Sequence, residues 1–241
     1  MPGHGLGPAF RRAIKPAFKA SVPVLLGYVT IGIAFGLLLV KSGQPWWLSP
    51  IMSVIVYAGA AQFMAVGLLA AGTGIAQIAV LTLLLNARHM VYGLSLLDRF
   101  ASCKRFKAYL VFALTDETYG ILTTVEAPKG FGGAPASAED REAYYAAVSA
   151  LDQSYWVIGS VAGALVGGLL PFDATGIEFA LTALFIVLLI EQMRSVRKAA
   201  PYLVAAIATG AALLLVGPAN FLIAAILASI AGILPFRKAL S

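Results

Sequence analysis

The chain has 241 residues, 60% of them hydrophobic and only 12% charged, with a formal net charge of +6 and a mean hydropathy of +0.89. Soluble domains carry about 25% charged residues, and a sphere of this size cannot hide so much apolar surface from water. An ordinary cytosolic enzyme, a disordered chain and a secreted disulfide scaffold are excluded, and an all-α, polytopic helical membrane protein is expected. A membrane β-barrel alternates apolar and polar residues over about ten positions, whereas the apolar stretches here are far longer. The positive charge lies in loops and tails, as the positive-inside rule requires of a membrane protein, so no nucleic-acid partner is expected. The single cysteine, Cys103, forbids an internal disulfide.

Residues 1–19 form a basic segment with Arg11, Arg12, Lys15 and Lys19, expected to be cytoplasmic and able to lie as a short interfacial helix. Residues 20–236 read as one transmembrane domain. The first span is Ala20 to Val40, with Gly32 and Gly36 making a G-x-x-x-G face for close helix approach. Trp46 and Trp47 suit the water interface. A second span runs from Leu48 to Ala71 and a third from Ile75 to Leu97, the latter expected to be interrupted at Asn86-Ala87-Arg88-His89. A fourth runs from Ala108 to Val125 and contains Asp116-Glu117.

The polar stretch Glu126 to Tyr145 reads as a loop leading into an amphipathic helix start. A fifth span, Ala146 to Leu170, holds Asp152-Gln153 and a stripe of Gly159, Gly163 and Gly167; Pro171-Phe172-Asp173 ends it. A sixth runs from Ile177 to Met193, closing on Glu191-Gln192. Pro201–Val216 and Ala219–Leu234 flank Gly217-Pro218 as a hairpin or one broken element, so the count is seven or eight. Full crossing by every span places the basic loop Arg99 to Lys107 opposite the N-terminus, against the positive-inside rule.

A central Arg, Lys or Asp costs about 2.5–3.5 kcal/mol on insertion scales, so such residues pair or face a water-filled path. Asn86, His89 and Tyr92 share a helical stripe that Arg88 borders. Asp116, Glu117 and Asp152 supply the opposite sign, and Tyr57 and Gln62 add polar groups to the second span. Arg88 or His89 is expected to be compensated by one of those acids. The bland alternatives are a structural ion pair and, for Asp152 and Glu191 near segment ends, snorkelling to the interface. Phe179, Phe185 and Phe221 read as packing or lipid-facing residues. No phosphate loop, H-E-x-x-H zinc site or G-x-S-x-G elbow is present. No enzyme activity, cofactor or metal is therefore expected, although Asp116 and Asp152 could serve an intramembrane hydrolase.

These same residues carry a resemblance. Tyr57-Ala-Gly-Ala-Ala-Gln62-Phe63, Asn86-Ala-Arg88-His89-Met-Val-Tyr92-Gly93, Leu114-Thr115-Asp116-Glu117-Thr-Tyr119 and Phe179-Ala-Leu-Thr-Ala-Leu-Phe185 resemble the AzlC-type family, the large subunit of branched-chain amino acid exporters. The resemblance spans about Arg11 to Gly232. It implies export of leucine, isoleucine, valine and sometimes methionine across the bacterial cytoplasmic membrane, with a small hydrophobic AzlD-type subunit as partner. Together with the intramembrane charges, it points to a secondary transporter. Arg88 would meet the substrate carboxylate and Asp116 or Glu117 its ammonium, while Gln62, Asn86 and Tyr92 orient it and Gly59, Ala60 and Ala61 shape a small apolar pocket. His89, Asp116, Glu117 and Asp152 are the candidates to carry a coupling proton. A channel and a structural scaffold are the competing readings.

Overall fold

A computed structural model of the chain describes residues 6–124, 136–169, 198–217 and 221–233, with isolated positions between 186 and 194. Among the described residues every regular element is helical. The chain divides into two units, Met1–Ile177 and Glu178–Ser241.

The first unit is built on two long helices. α1, Leu6–Lys41, runs unbroken across the expected boundary at residue 20, so the basic segment forms its first turns and not a separate interfacial helix. At about 1.5 Å per residue its 36 residues extend well beyond a bilayer core of about 30 Å. α7, Ala138–Leu169, likewise absorbs the polar approach to the fifth span. Gly159, Gly163 and Gly167 meet Val29, Ile33 and Leu37 in the same order, so the two helices run parallel. A Cβ on Gly159 would lie 2.6 Å from the Val29 carbonyl oxygen, and one on Gly36 would lie 2.6 Å from the Ala164 nitrogen. Backbone therefore touches backbone, the contact that small residues permit where lipid removes the hydrophobic drive.

Between these helices the chain makes two broken segments. The expected second span is a pair, α2 (Leu48–Ile55) and α3 (Gly59–Ala70). α2 descends beside α7: the Ser49 hydroxyl donates to the Ser160 carbonyl, and Gln153 Nε2 donates to the Val54 carbonyl. The chain reverses at Val56-Tyr57-Ala58, where Tyr57 takes a φ of +41°, a region that costs a non-glycine residue on the order of 1–3 kcal/mol. α3 then climbs: Gly59 faces the Trp156 ring and Phe63 packs on Phe35, ring centroids 5.7 Å apart. The Gln62 side chain reaches back to accept the Ala58 N–H, satisfying a donor that the helix start leaves open.

α4, Ile75–Ser95, is continuous through Asn86-Ala87-Arg88-His89. The expected interruption there is absent. This stretch contains no Gly or Pro before Gly93, Leu, Ala, Arg and Met favour helix, and Arg88 finds a counter-charge without unwinding. The break lies in the following segment: α5 (Lys107–Phe112) and α6 (Asp116–Thr124) flank Ala113-Leu114-Thr115. Thr115 accepts the Thr118 N–H at 3.2 Å, a helix N-cap. α6 runs parallel to α4, since Tyr92 meets Asp116, Ser95 meets Tyr119, and Arg99 donates to the carbonyls of Leu122 and Thr123. The two broken pairs thus enter from opposite ends and approach at their turns, where the Tyr57 and Phe112 rings lie 6.4 Å apart.

This arrangement corrects the placement of the basic loop. Phe106 packs on Phe10, Glu142 accepts the N–H groups of Arg105 and Phe106 at 2.7 and 2.8 Å, and Arg12 pairs with Asp140 at 3.7 Å. Lys104, Arg105 and Lys107 therefore share one end with Arg11, Arg12, Lys15 and Lys19. The violation of the positive-inside rule came from treating broken segments as full crossings.

In the second unit, α8 (Ala200–Val216) and α9 (Phe221–Ile233) form a hairpin, with Gly232 against Val204; Phe221 is half-buried. Phe179, Phe185, Glu191 and Gln192 of the sixth segment, the turn at Pro171–Asp173, Pro218, and residues 126–135 of the polar loop lie outside the described residues.

Candidate functional site

α4 and the first turn of α6 bring opposite charges together. Arg88 Nη1 lies 2.7 Å from Asp116 Oδ2, with the two side chains 37% and 43% exposed. Tyr92, one turn along α4, donates its hydroxyl to Asp116 Oδ1. Its ring stacks on Tyr119 at 4.6 Å, and His89 lies 5.9 Å away, tilted against it. Asp116 and Glu117 occupy the first turn of α6, where the helix dipole favours negative charge. The Asn86 side-chain oxygen and Arg88 Nε are buried without a partner, so the pair is only partly satisfied and keeps hydrogen-bonding capacity in reserve.

Glu117 points elsewhere. Its Oε2 accepts the Tyr28 hydroxyl at 2.6 Å. The same hydroxyl lies 2.6 Å from Thr115 Oγ1, which is 3.1 Å from Thr118 Oγ1, which donates to Asp152 Oδ2 at 2.8 Å. Asp152 is 0% exposed and does not snorkel, contrary to that alternative. Its Oδ1, Ser149 Oγ one turn away and the Tyr57 hydroxyl are buried without partners.

Of the residues singled out by sequence, Arg88, Tyr92 and Asp116 form one contact group, with His89 against Tyr92. Glu117 and Asp152 belong to a second, joined through hydroxyls. Gln62 stands apart: its amide oxygen accepts both Ala58 N–H and Trp156 Nε1–H, and its nitrogen donates to Ser53. Tyr28, Thr115 and Thr118 were missed by the sequence reading; the one signal was a pair of threonines three apart beside an acid pair. A cavity of about 390 Å³ opens at the basic end, lined by Phe10, Arg11, Arg105, Phe106 and Tyr109, away from the Arg88–Asp116 pair. Cys103 is buried at the same end; burial, with the nearby Glu142 carboxylate, pushes its thiol up.

Among the described residues two helices, Gly7–Lys41 and Ile75–Ser95, are long and apolar enough to cross a bilayer. With broken segments between them and an ion pair joining α4 to the start of α6, they define a helical membrane protein with a partly exposed charged site. A profile described as AzlC protein matches residues 23–170. A Helicobacter pylori (strain 26695) protein named as an uncharacterized membrane protein is 37% identical, over 96% of this chain and 98% of its own. The Bacillus subtilis (strain 168) branched-chain amino acid transport protein AzlC is 32% identical, over 95% of this chain and 87% of its own. The Escherichia coli (strain K12) inner membrane protein YgaZ is 33% identical, over 73% of this chain and 71% of its own. No solved structure matches. The chain belongs to the AzlC family.

Proposed function

We propose that this protein is a proton-coupled secondary transporter exporting the branched-chain amino acids leucine, isoleucine and valine, with the unbranched methionine as a further substrate. The observation that carries the reading is the Arg88–Asp116 pair, whose carboxylate also accepts the Tyr92 hydroxyl. A zwitterionic amino acid carries the same two charges. It enters by replacing each partner with its own group: the carboxylate takes Arg88, and the ammonium takes Asp116, with Glu117 adjacent. Asn86 and Tyr92 supply orienting hydrogen bonds, and Gln62 acts by holding the turn of α2 and α3. One methylene is worth only about 1–3 kcal/mol in an apolar pocket, so substrates overlap.

The relative named for branched-chain amino acid transport supports the substrate class. The relative named as an inner membrane protein supports a bacterial cytoplasmic membrane. The shared basic end supports a cytoplasmic N-terminus. Of the seven or eight segments, the α2–α3 and α5–α6 pairs are re-entrant, as in transporters that bind at helix breaks. Outward-facing Leu83, Met90, Val91 and Leu94 on α4 suit lipid, and a small AzlD-type subunit completes the transporter. The reaction is relocation and not chemical conversion.

Counterflow in proteoliposomes, with and without the small subunit and against a panel of labelled amino acids, tests this. Saturable counterflow for valine, leucine and isoleucine is expected. Flux without saturation or counterflow would identify a channel, and no flux at all would identify a scaffold.

A further inference from the structure

The hydroxyls linking Glu117 to Asp152 form a continuous donor–acceptor chain across three helices. Tyr28 comes from α1, Thr115 and Thr118 from the break and first turn of α6, and Asp152 from α7. The successive separations are 2.6, 2.6, 3.1 and 2.8 Å. Glu117 is exposed, whereas Tyr28, Thr115, Thr118 and Asp152 are buried. One end is thus open and the other dry.

Tyr28 has one hydrogen and two acceptors at equal distance, Glu117 and Thr115, so it can serve only one at a time. When it serves Thr115, Thr115 donates to Thr118 and Thr118 donates to Asp152. When Asp152 holds the proton it can donate to Thr118, Thr118 to Thr115, Thr115 to Tyr28 and Tyr28 to Glu117, with the heavy atoms in place. A purely structural network needs only one of these states, and this geometry accommodates both.

We propose that a proton passes between Glu117 and Asp152 through the hydroxyls of Tyr28, Thr115 and Thr118. This inference rests on the transporter reading and deepens it by assigning the proton a path separate from the Arg88–Asp116 substrate pair. The step balances. Protonated Glu117 gives its proton to the Tyr28 oxygen, and Tyr28 gives its own to Thr115. Thr115 gives its proton to Thr118, and Thr118 gives its proton to the Asp152 carboxylate. Each hydroxyl breaks one O–H bond and forms another, Glu117 ends ionised and Asp152 ends neutral. The phenols of Tyr57 and Tyr109, that of Tyr144 on its own helix, and the Glu117 carboxylate surround Asp152. Glu117 is faced by Tyr28, Tyr57 and Tyr92. Because the relay draws on α1, α6 and α7, movement of α6 relative to α1 and α7 breaks it, and proton access becomes tied to the state of the α5–α6 pair.

The test uses the full chain with its small subunit in proteoliposomes, reading proton movement driven by a valine gradient alongside valine counterflow at equal pH. Thr118→Val keeps the shape and removes the relay oxygen. It should lower proton movement by roughly 100-fold, the lower range for a positioned proton-transfer group, while counterflow persists. Thr118→Ser should restore proton movement. Tyr28→Phe provides a second break in the chain if Thr118→Val does not fold. Unaltered proton movement in a folded Thr118→Val or Tyr28→Phe protein would overturn the relay, as would a Thr118→Ser protein no better than Thr118→Val. Should the unaltered protein show no counterflow, the transporter reading fails. The relay is then read by infrared titration of the Asp152 carboxyl band, which Asp152→Asn assigns. Equilibration with external pH should be slower in Thr118→Val, and equal rates would overturn the relay.

Discussion

At the scale of single residues, Arg88 and Asp116 carry the account. Truncating one partner of this charge pair leaves the other without its match and removes one of the two groups a zwitterion needs. Arg88→Ala and Asp116→Asn should each abolish valine efflux while the purified protein keeps its elution profile and helical circular dichroism. Efflux at the unaltered rate in both would remove the site. Tyr92→Phe removes only the hydroxyl that Asp116 accepts and should weaken substrate affinity, seen as a raised KM with kcat little changed. Cys103 is buried and its thiol is pushed up, so a smaller fraction is thiolate at pH 8 than in a free thiol. Its alkylation by N-ethylmaleimide should be slow at that pH and accelerate as pH rises, or after unfolding in detergent. The charged members of the site were legible in the sequence because charge inside an apolar run is costly. The hydroxyls were not, because Ser and Thr in apolar helices commonly bond their own helix carbonyls, as Thr123 does to Tyr119.

At the scale of elements, the α1–α7 contact is the most sharply specified. Gly159→Ala and Gly36→Ala each place a methyl against the facing helix backbone, and overpacking of this kind costs about 1–3 kcal/mol. Thermal unfolding in detergent should show a lower midpoint for both. Gly27→Ala, which meets nothing within 4 Å, should leave it unchanged. The glycine stripes were readable from spacing alone. The breaks at Tyr57 and at Ala113-Leu114-Thr115 were not: hydropathy averages over about 19 residues, so a reversal of three apolar or weakly polar residues leaves no mark. The polar run Asn86 to His89 looked like a break and is none, because a counter-charge on α6 satisfies it within an intact helix.

At the scale of the whole molecule, the first unit has a polarity that the span count concealed. Its basic residues gather at one end, and α2–α3 and α5–α6 enter from opposite ends. In a chain with Cys103 replaced by Ser, single cysteines at Arg11 and Lys104 should be labelled by an impermeant maleimide from the same side of the membrane. Cysteines at Ser42 and Thr73 should be labelled from the other. Labelling of Arg11 and Lys104 positions from opposite sides would restore the full-crossing topology and remove the re-entrant pairs.

The central claim is that an opened Arg88–Asp116 pair receives both charges of an amino acid. Calorimetric titration of the purified protein with valine, isovalerate and isobutylamine addresses it most directly, since the last two each lack one of valine's charged groups. Valine should bind at least roughly 100-fold more tightly than either, because each leaves a charged partner without its match. Equal binding of all three, or valine binding unchanged in the Arg88→Ala protein, would contradict it.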